Sequence, residues 1–125
     1  MLKEVITSPD MPPPLGPYSH VVRAGDLLFV AGQPGIDEHG DAPAEFAPQA
    51  RLAFQRLATI LAAAGSGMEH VVKTTVFLSD ASNVVAMNDL CREFFPEAPP
   101  VRSTAIVALP RGLLISIDAV AVSPK

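Results

Sequence analysis

Four polar side chains interrupt apolar strings near the C-terminal end of the sequence. Arg102 and Thr104 stand in Val-Arg-Ser-Thr-Ala-Ile-Val, and Ser116 and Asp118 in Leu-Leu-Ile-Ser-Ile-Asp-Ala-Val. In an extended chain, residues two apart project to one face, so each pair shares a side of its strand. With a turn centred near Arg111, all four have the same parity and line one patch, unless a bulge shifts the register. A guanidinium is a planar fork that matches a carboxylate, so such a patch suits recognition of a small organic acid. The competing expectation is an Arg–Asp ion pair tying the two strands, because buried charges usually pair. From spacing alone the ion pair is the stronger reading.

Other candidates are weaker. Asn88 falls on the apolar stripe of a helix, where an amide ordinarily bonds a nearby loop. Tyr18 follows Gly16-Pro17, so a stiff turn aims its ring, and a core tyrosine is the default expectation. His20, His39 and His70 lack metal-ligand spacing, and the single Cys91 does not complete a set. Gly32, Gly35 and Gly40 are followed by a loop, which does not fit a dinucleotide fingerprint. Cys91 lies on a helix's apolar stripe with no base nearby in sequence, so it reads as core.

The elements that must hold these residues follow from periodicity. His20–Ala24 and Leu27–Ala31 flank Gly25-Asp26 and predict a β-hairpin, after which Gly32, Pro34, Gly35 and Gly40 make a loop. Ala50, Ala53, Phe54, Leu57, Ile60, Leu61 and Ala64 recur at helical spacing and predict a helix from about Pro48 to Ala64, closed by Gly65. Val71–Leu78 reads as a strand. A second helix, capped at Ser82 or Asp80, runs to about Phe95 with Val84, Met87, Cys91, Phe94 and Phe95 on one face. Val101–Leu109 and Leu113–Val122 are expected as a final strand pair turned at Pro110-Arg111-Gly112, apolar on both faces and covered on two sides. Prolines cluster at Pro12, Pro13, Pro14 and Pro17 and at Pro96, Pro99 and Pro100, and mark connectors. The expected order ββ-α-β-α-ββ gives an α+β fold, a mixed sheet packed on two helices.

Composition bounds the function. A chain of 125 residues suffices for one domain, 1–125, with a sizeable core. Apolar residues make up 49% and charged residues 18%, which excludes a disordered tail. Nine Lys+Arg against thirteen Asp+Glu, with no basic run, predict no nucleic-acid partner, and no segment approaches ~18 consecutive apolar residues, so no transmembrane helix is expected. A lone cysteine fits a reducing compartment. The start of the sequence lacks the charged-then-apolar order of a signal peptide, so a cytoplasmic location is expected.

Taken in order, several motifs resemble the RidA/YjgF/YER057c/UK114 family. They are Gly16-Pro17-Tyr18-Ser19, Phe29-Val30-Ala31-Gly32-Gln33, Gln49-Ala50, Val72-Lys73-Thr74-Thr75-Val76-Phe77-Leu78, Met87-Asn88 with Phe94-Phe95, Val101-Arg102-Ser103-Thr104, and Ile117-Asp118-Ala119-Val120-Ala121-Val122. The resemblance implies a chorismate-mutase-like subunit in a homotrimer with pockets between neighbouring subunits. It also implies hydrolysis of reactive enamines and imines, such as 2-aminoacrylate, to 2-keto acids and ammonia, with no metal or organic cofactor. Arg102 then matches the arginine that holds the substrate carboxylate. Tyr18, Gly32, Asn88 and Thr104 match pocket positions, and Ala31 stands where serine is frequent.

One departure matters. Ser116 occupies the place of the glutamate thought to position the attacking water, and Asp118 aligns with a second acidic residue two positions on. A serine hydroxyl is a poor base at neutral pH but can orient a water by hydrogen bonding. The expected activity is therefore imine/enamine hydrolysis resting on Arg102 and Ser116, with Asp118 the alternative acid. The rivals are a non-catalytic 2-keto acid sensor and a ribonuclease or translation inhibitor.

Overall fold

The computed structural model describes residues 2–124. The helical apolar string folds as α1, Phe46–Ala63, beginning two residues before the expected start. Pro48 thus sits in the first turn, where backbone N–H groups have no intrahelical acceptor to lose. Ala50, Ala53, Phe54, Leu57, Ile60 and Leu61 are buried along one stripe. Gly65, at φ +82°, reverses the chain, and the Ser66 N–H donates to the Leu61 carbonyl at 2.8 Å. A left-handed glycine with that long reach back closes the helix. Full burial of each large side chain on this stripe contributes roughly 1.5–3 kcal/mol.

Six strands form one sheet: β1 Lys3–Ile6, β2 Val21–Ala24, β3 Leu27–Pro34, β4 Val71–Leu78, β5 Val101–Ile106 and β6 Ile115–Val122. Their order is β1-β2-β3-β6-β4-β5. The β2–β3 hairpin turns at Gly25, φ +62°, as expected. Two expectations are corrected in the first half of the sheet. The stretch before the prolines, for which no strand was expected, contributes β1, which pairs antiparallel with β2. The expected loop after Ala31 is instead the end of β3, whose register against β6 shifts between Val30 and Gln33.

The larger correction concerns the last two strands, which do not pair. The second helix, α2 (Val84–Phe94), carries the chain from β4 to β5, and β5 lies parallel to β4. β6 then inserts between β3 and β4, antiparallel to both. A strand, a helix and a second parallel strand make a βαβ crossover, which places the helix on one face of the sheet. β5 is an exposed edge strand and ends at Ile106, and only one face of β6 is buried. Neither strand is covered on two sides within the chain.

The core lies between α1, α2 and the helix-side face, which presents Leu28, Val30, Val76, Leu78, Ile115, Ile117, Ala119 and Ala121. The opposite face carries no helix. There Leu27, Phe29, Val72 and Val122 remain 37–46% exposed, beside Thr75, Phe77, Ser116 and Asp118. No helix among the described residues is long and apolar enough to cross a membrane.

Candidate active site

The parallel register sorts the four polar candidates onto two faces. Arg102 pairs with Thr74 and Thr104 with Val76, and both partners are buried on the helix side. Asp118 pairs with Thr75 and Ser116 with Phe77, on the open side. The expected single patch is therefore split, because β4 lies between the two strands and no turn sets their relative parity. An ion pair between Arg102 and Asp118 is excluded for the same reason. Two strand spacings of about 4.8 Å and three residue rises of about 3.3 Å separate Arg102 from Ser116, and their side chains leave opposite faces. Two clefts result.

The first cleft lies between α2 and the edge strand, has a volume of about 440 Å³ and is lined by Asn88, Cys91, Arg92, Phe95, Pro96, Pro99 and Arg102. Asn88 and Cys91 are three residues apart on α2 and so share a face. The Arg102 Nη1 donates to Cys91 Sγ at 3.5 Å. Cys91 is half-buried at the site, where a core thiol was expected. Arg92 is held by Asp89 at 2.9 Å. Arg102 has no ion pair among the described residues and is exposed, so its fork is open to an anion. The expected loop bond of Asn88 is absent among the described residues, which leaves its amide facing the cleft. A deeper recess of about 190 Å³ beneath Arg102 reaches Thr74, a buried hydroxyl that the sequence reading passed over. Thr104 shares Arg102's face but lines neither cavity.

The second cleft, also about 440 Å³, is lined by Leu15, Tyr18, Gly32, Pro34, Leu109, Pro110, Arg111, Leu113 and Ser116. Tyr18 is 45% exposed and is not the core residue expected. Gly32 is required by close approach: a Cβ there would meet Ser116 Oγ at 2.7 Å. Ala31 precedes it in the irregular stretch of β3, and its N–H donates to the His20 carbonyl at 2.9 Å. Asp118 faces the same side as Ser116 but lies outside the cleft, roughly 6–7 Å along the strand.

A buried pair that the sequence reading missed holds this stretch. Gln33 Nε2 donates to the Ala31 carbonyl at 3.0 Å and meets His20 Nδ1 at 3.2 Å. The signal for it was present: His20 and Gln33 flank a hairpin whose intervening strand residues pair, which brings the two together. Behind Tyr18, burial lowers the Arg56 pKa from its ordinary value, and the Tyr18 phenol acts weakly in the opposite sense.

Residues 8–123 match the family model described as Endoribonuclease L-PSP. A RutC family protein of Pyrococcus horikoshii is 39% identical over 123 residues, spanning 96% of this chain and 98% of its own. The 2-iminobutanoate/2-iminopropanoate deaminase of Mus musculus is 34% identical over 125 residues, spanning 98% and 93%. Among solved structures, E. coli TdcF with bound serine superposes with a TM-score of 0.88 at 30% identity, covering 97% of this chain and 99% of that one.

Proposed function

Because the chain belongs to the Endoribonuclease L-PSP family, that of the RidA/YjgF proteins, we propose that it hydrolyses small 2-imino and 2-enamino acids to 2-keto acids and ammonia. The observation that carries this reading is Arg102, a guanidinium with no ion pair among the described residues, at the mouth of an open cleft beside the Asn88 amide. A relative named as an imine deaminase supports the reaction class. In the hydrolysis, water adds its oxygen to the imine carbon, and the nitrogen leaves as ammonia. Arg102 grips the carboxylate with two parallel hydrogen bonds. Asn88 lies beside it in the same cleft, while Tyr18 and Ser116 face the imine from the other cleft with Gly32 leaving them room. The Ser116 hydroxyl orients the water, and holding both reactants in place supplies most of the acceleration an easily hydrolysed imine needs. No cofactor enters this reading.

One chain cannot close such a site, since its two clefts open on opposite faces of the sheet. The reading therefore includes a homotrimer in which the Arg102 cleft of one copy meets the Ser116 cleft of the next. The exposed apolar face of the sheet supports it, because soluble proteins seldom leave such a patch uncovered. The test is ammonia release from freshly generated 2-iminopropanoate. Wild type should accelerate it over buffer, and Arg102→Ala should lose at least tenfold at unchanged assembly mass. Full activity in Arg102→Ala would overturn the role of Arg102.

Ser116 favours a second reading. With no carboxylate among the described residues lining the Ser116 cleft, the same site could bind 2-keto acids without turnover. Binding without ammonia release identifies that case. The family description also names ribonucleases. Against this stands the net charge of −4, and RNA cleavage as fast in Arg102→Ala as in wild type would revive it.

A further inference from the structure

The Ser116 cleft carries one formal charge, that of Arg111. Arg111 occupies the 3-10 turn Pro110–Gly112 at φ +57°, followed by Gly112 at φ +67°. A left-handed backbone is disfavoured for a residue with a Cβ and persists where its surroundings hold it in place. Proline before and a left-handed glycine after fix the turn, so Arg111 is presented at the wall of the cleft by a stiff support. Among the described residues it makes neither an ion pair nor a side-chain hydrogen bond.

The charges of the two clefts do not balance. In the first, Arg92 is neutralised by Asp89 and Arg102 is not. In the second, Arg111 stands alone, and Ser116 contributes a neutral hydroxyl. Among the described residues no carboxylate lines either cleft. A pocket assembled from both therefore holds two unmatched guanidinium groups. A monocarboxylate satisfies one of them; a dicarboxylate satisfies both.

Building on the hydrolase reading, we propose that the preferred substrates are imino dicarboxylates. The α-carboxylate lies on Arg102 of one copy and the distal carboxylate on Arg111 of the next. For the four-carbon case, water adds its oxygen to the imine carbon, the C–N bond breaks, and oxaloacetate and ammonia leave. A neutral side chain at position 116 leaves the distal carboxylate unrepelled, and Arg111 is then a specificity-determining residue.

The experiment compares kcat/KM on 2-iminosuccinate and 2-iminoglutarate with that on 2-iminopropanoate, each released in situ by an amino-acid oxidase. Wild type should favour the dicarboxylates at least tenfold. In Arg111→Gln that ratio should fall at least tenfold, and Arg111→Lys should keep part of it. The ratio is taken within one preparation, so a partly unfolded variant does not distort it. A wild type that favours 2-iminopropanoate, or a ratio indifferent to Arg111→Gln, overturns the proposal. If no imine is turned over, the hydrolase reading fails separately. Calorimetric binding of 2-oxoglutarate against pyruvate to wild type and Arg111→Gln then decides the dicarboxylate preference in the same way.

Discussion

Replacing Gly32 by alanine places a methyl carbon 2.7 Å from Ser116 Oγ, and that oxygen is the one atom the new carbon meets within 4 Å. Gly32 does not sit at positive φ, so the backbone itself tolerates a side chain. The whole penalty is then a steric conflict with one hydroxyl. Carbon and oxygen need at least about 3.4 Å, so either Ser116 leaves its rotamer or β3 moves outward. Overpacking of this kind costs about 1–3 kcal/mol. Removing the hydroxyl removes the conflict, so Gly32→Ala in a Ser116→Ala background should be neutral, or stabilising by about 0.4–1 kcal/mol through the stiffer unfolded chain. The coupling read from a double-mutant cycle is therefore about 1–3 kcal/mol. Urea unfolding of wild type, both single variants and the double variant measures it. Additive effects would refute the geometry at the heart of the second cleft.

Three further outcomes follow from the same structure. Ser116→Glu should raise imine hydrolysis by up to about 10²-fold, since a positioned carboxylate can take a proton from water, while Asp118→Asn should change it less than twofold, as initial rates will show. Loss of turnover in Asp118→Asn with no gain from Ser116→Glu would move the acid to position 118. Gln33→Ala deletes a fully buried side chain and its contacts to Ala31 and His20, and should cost about 2–4 kcal/mol in denaturant unfolding. Arg51 bonds Glu93 across α1 and α2 and holds that carboxyl below its ordinary value. A depressed carboxylate stabilises the fold above its unfolded pKa and loses that contribution as pH falls through the folded one. Wild type should thus be slightly more stable than Glu93→Gln at neutral pH, with the gap closing below about pH 4.5 and shrinking in salt.

What could be read from the residues divides along physical lines. α1 was legible because its apolar spacing and its buried stripe are the same thing, with Gly65 marking its end. The β2–β3 hairpin was legible from Gly25-Asp26. The pairing of the last strands was not. Pro110-Arg111-Gly112 has the composition of a hairpin turn, whereas the helix between two β-branched strands also signals a parallel crossover, and the crossover is what forms. Local turn chemistry cannot reveal that β6 inserts between β3 and β4, and that insertion decides which face each polar residue takes. Arg102 stood out as a cation in an apolar string, Asn88 as an amide on an apolar stripe and Tyr18 as a ring after a stiff turn, and the resemblance added Gly32. Arg111 and Thr74 did not stand out, since each looks like an ordinary turn or strand residue until its cleft is built.

Subunit complementation tests most directly the claim that one site draws on two copies. Arg102→Ala disables the first cleft, and Ser116→Phe fills the second. Each variant alone should be inactive toward its best imine substrate. Co-refolded in equal amounts, random trimers join an intact Arg102 cleft to an intact Ser116 cleft at about one site in four. Recovery of about a quarter of wild-type activity is the predicted result. Two inactive variants that stay inactive after mixing, at the same assembly mass, would contradict it.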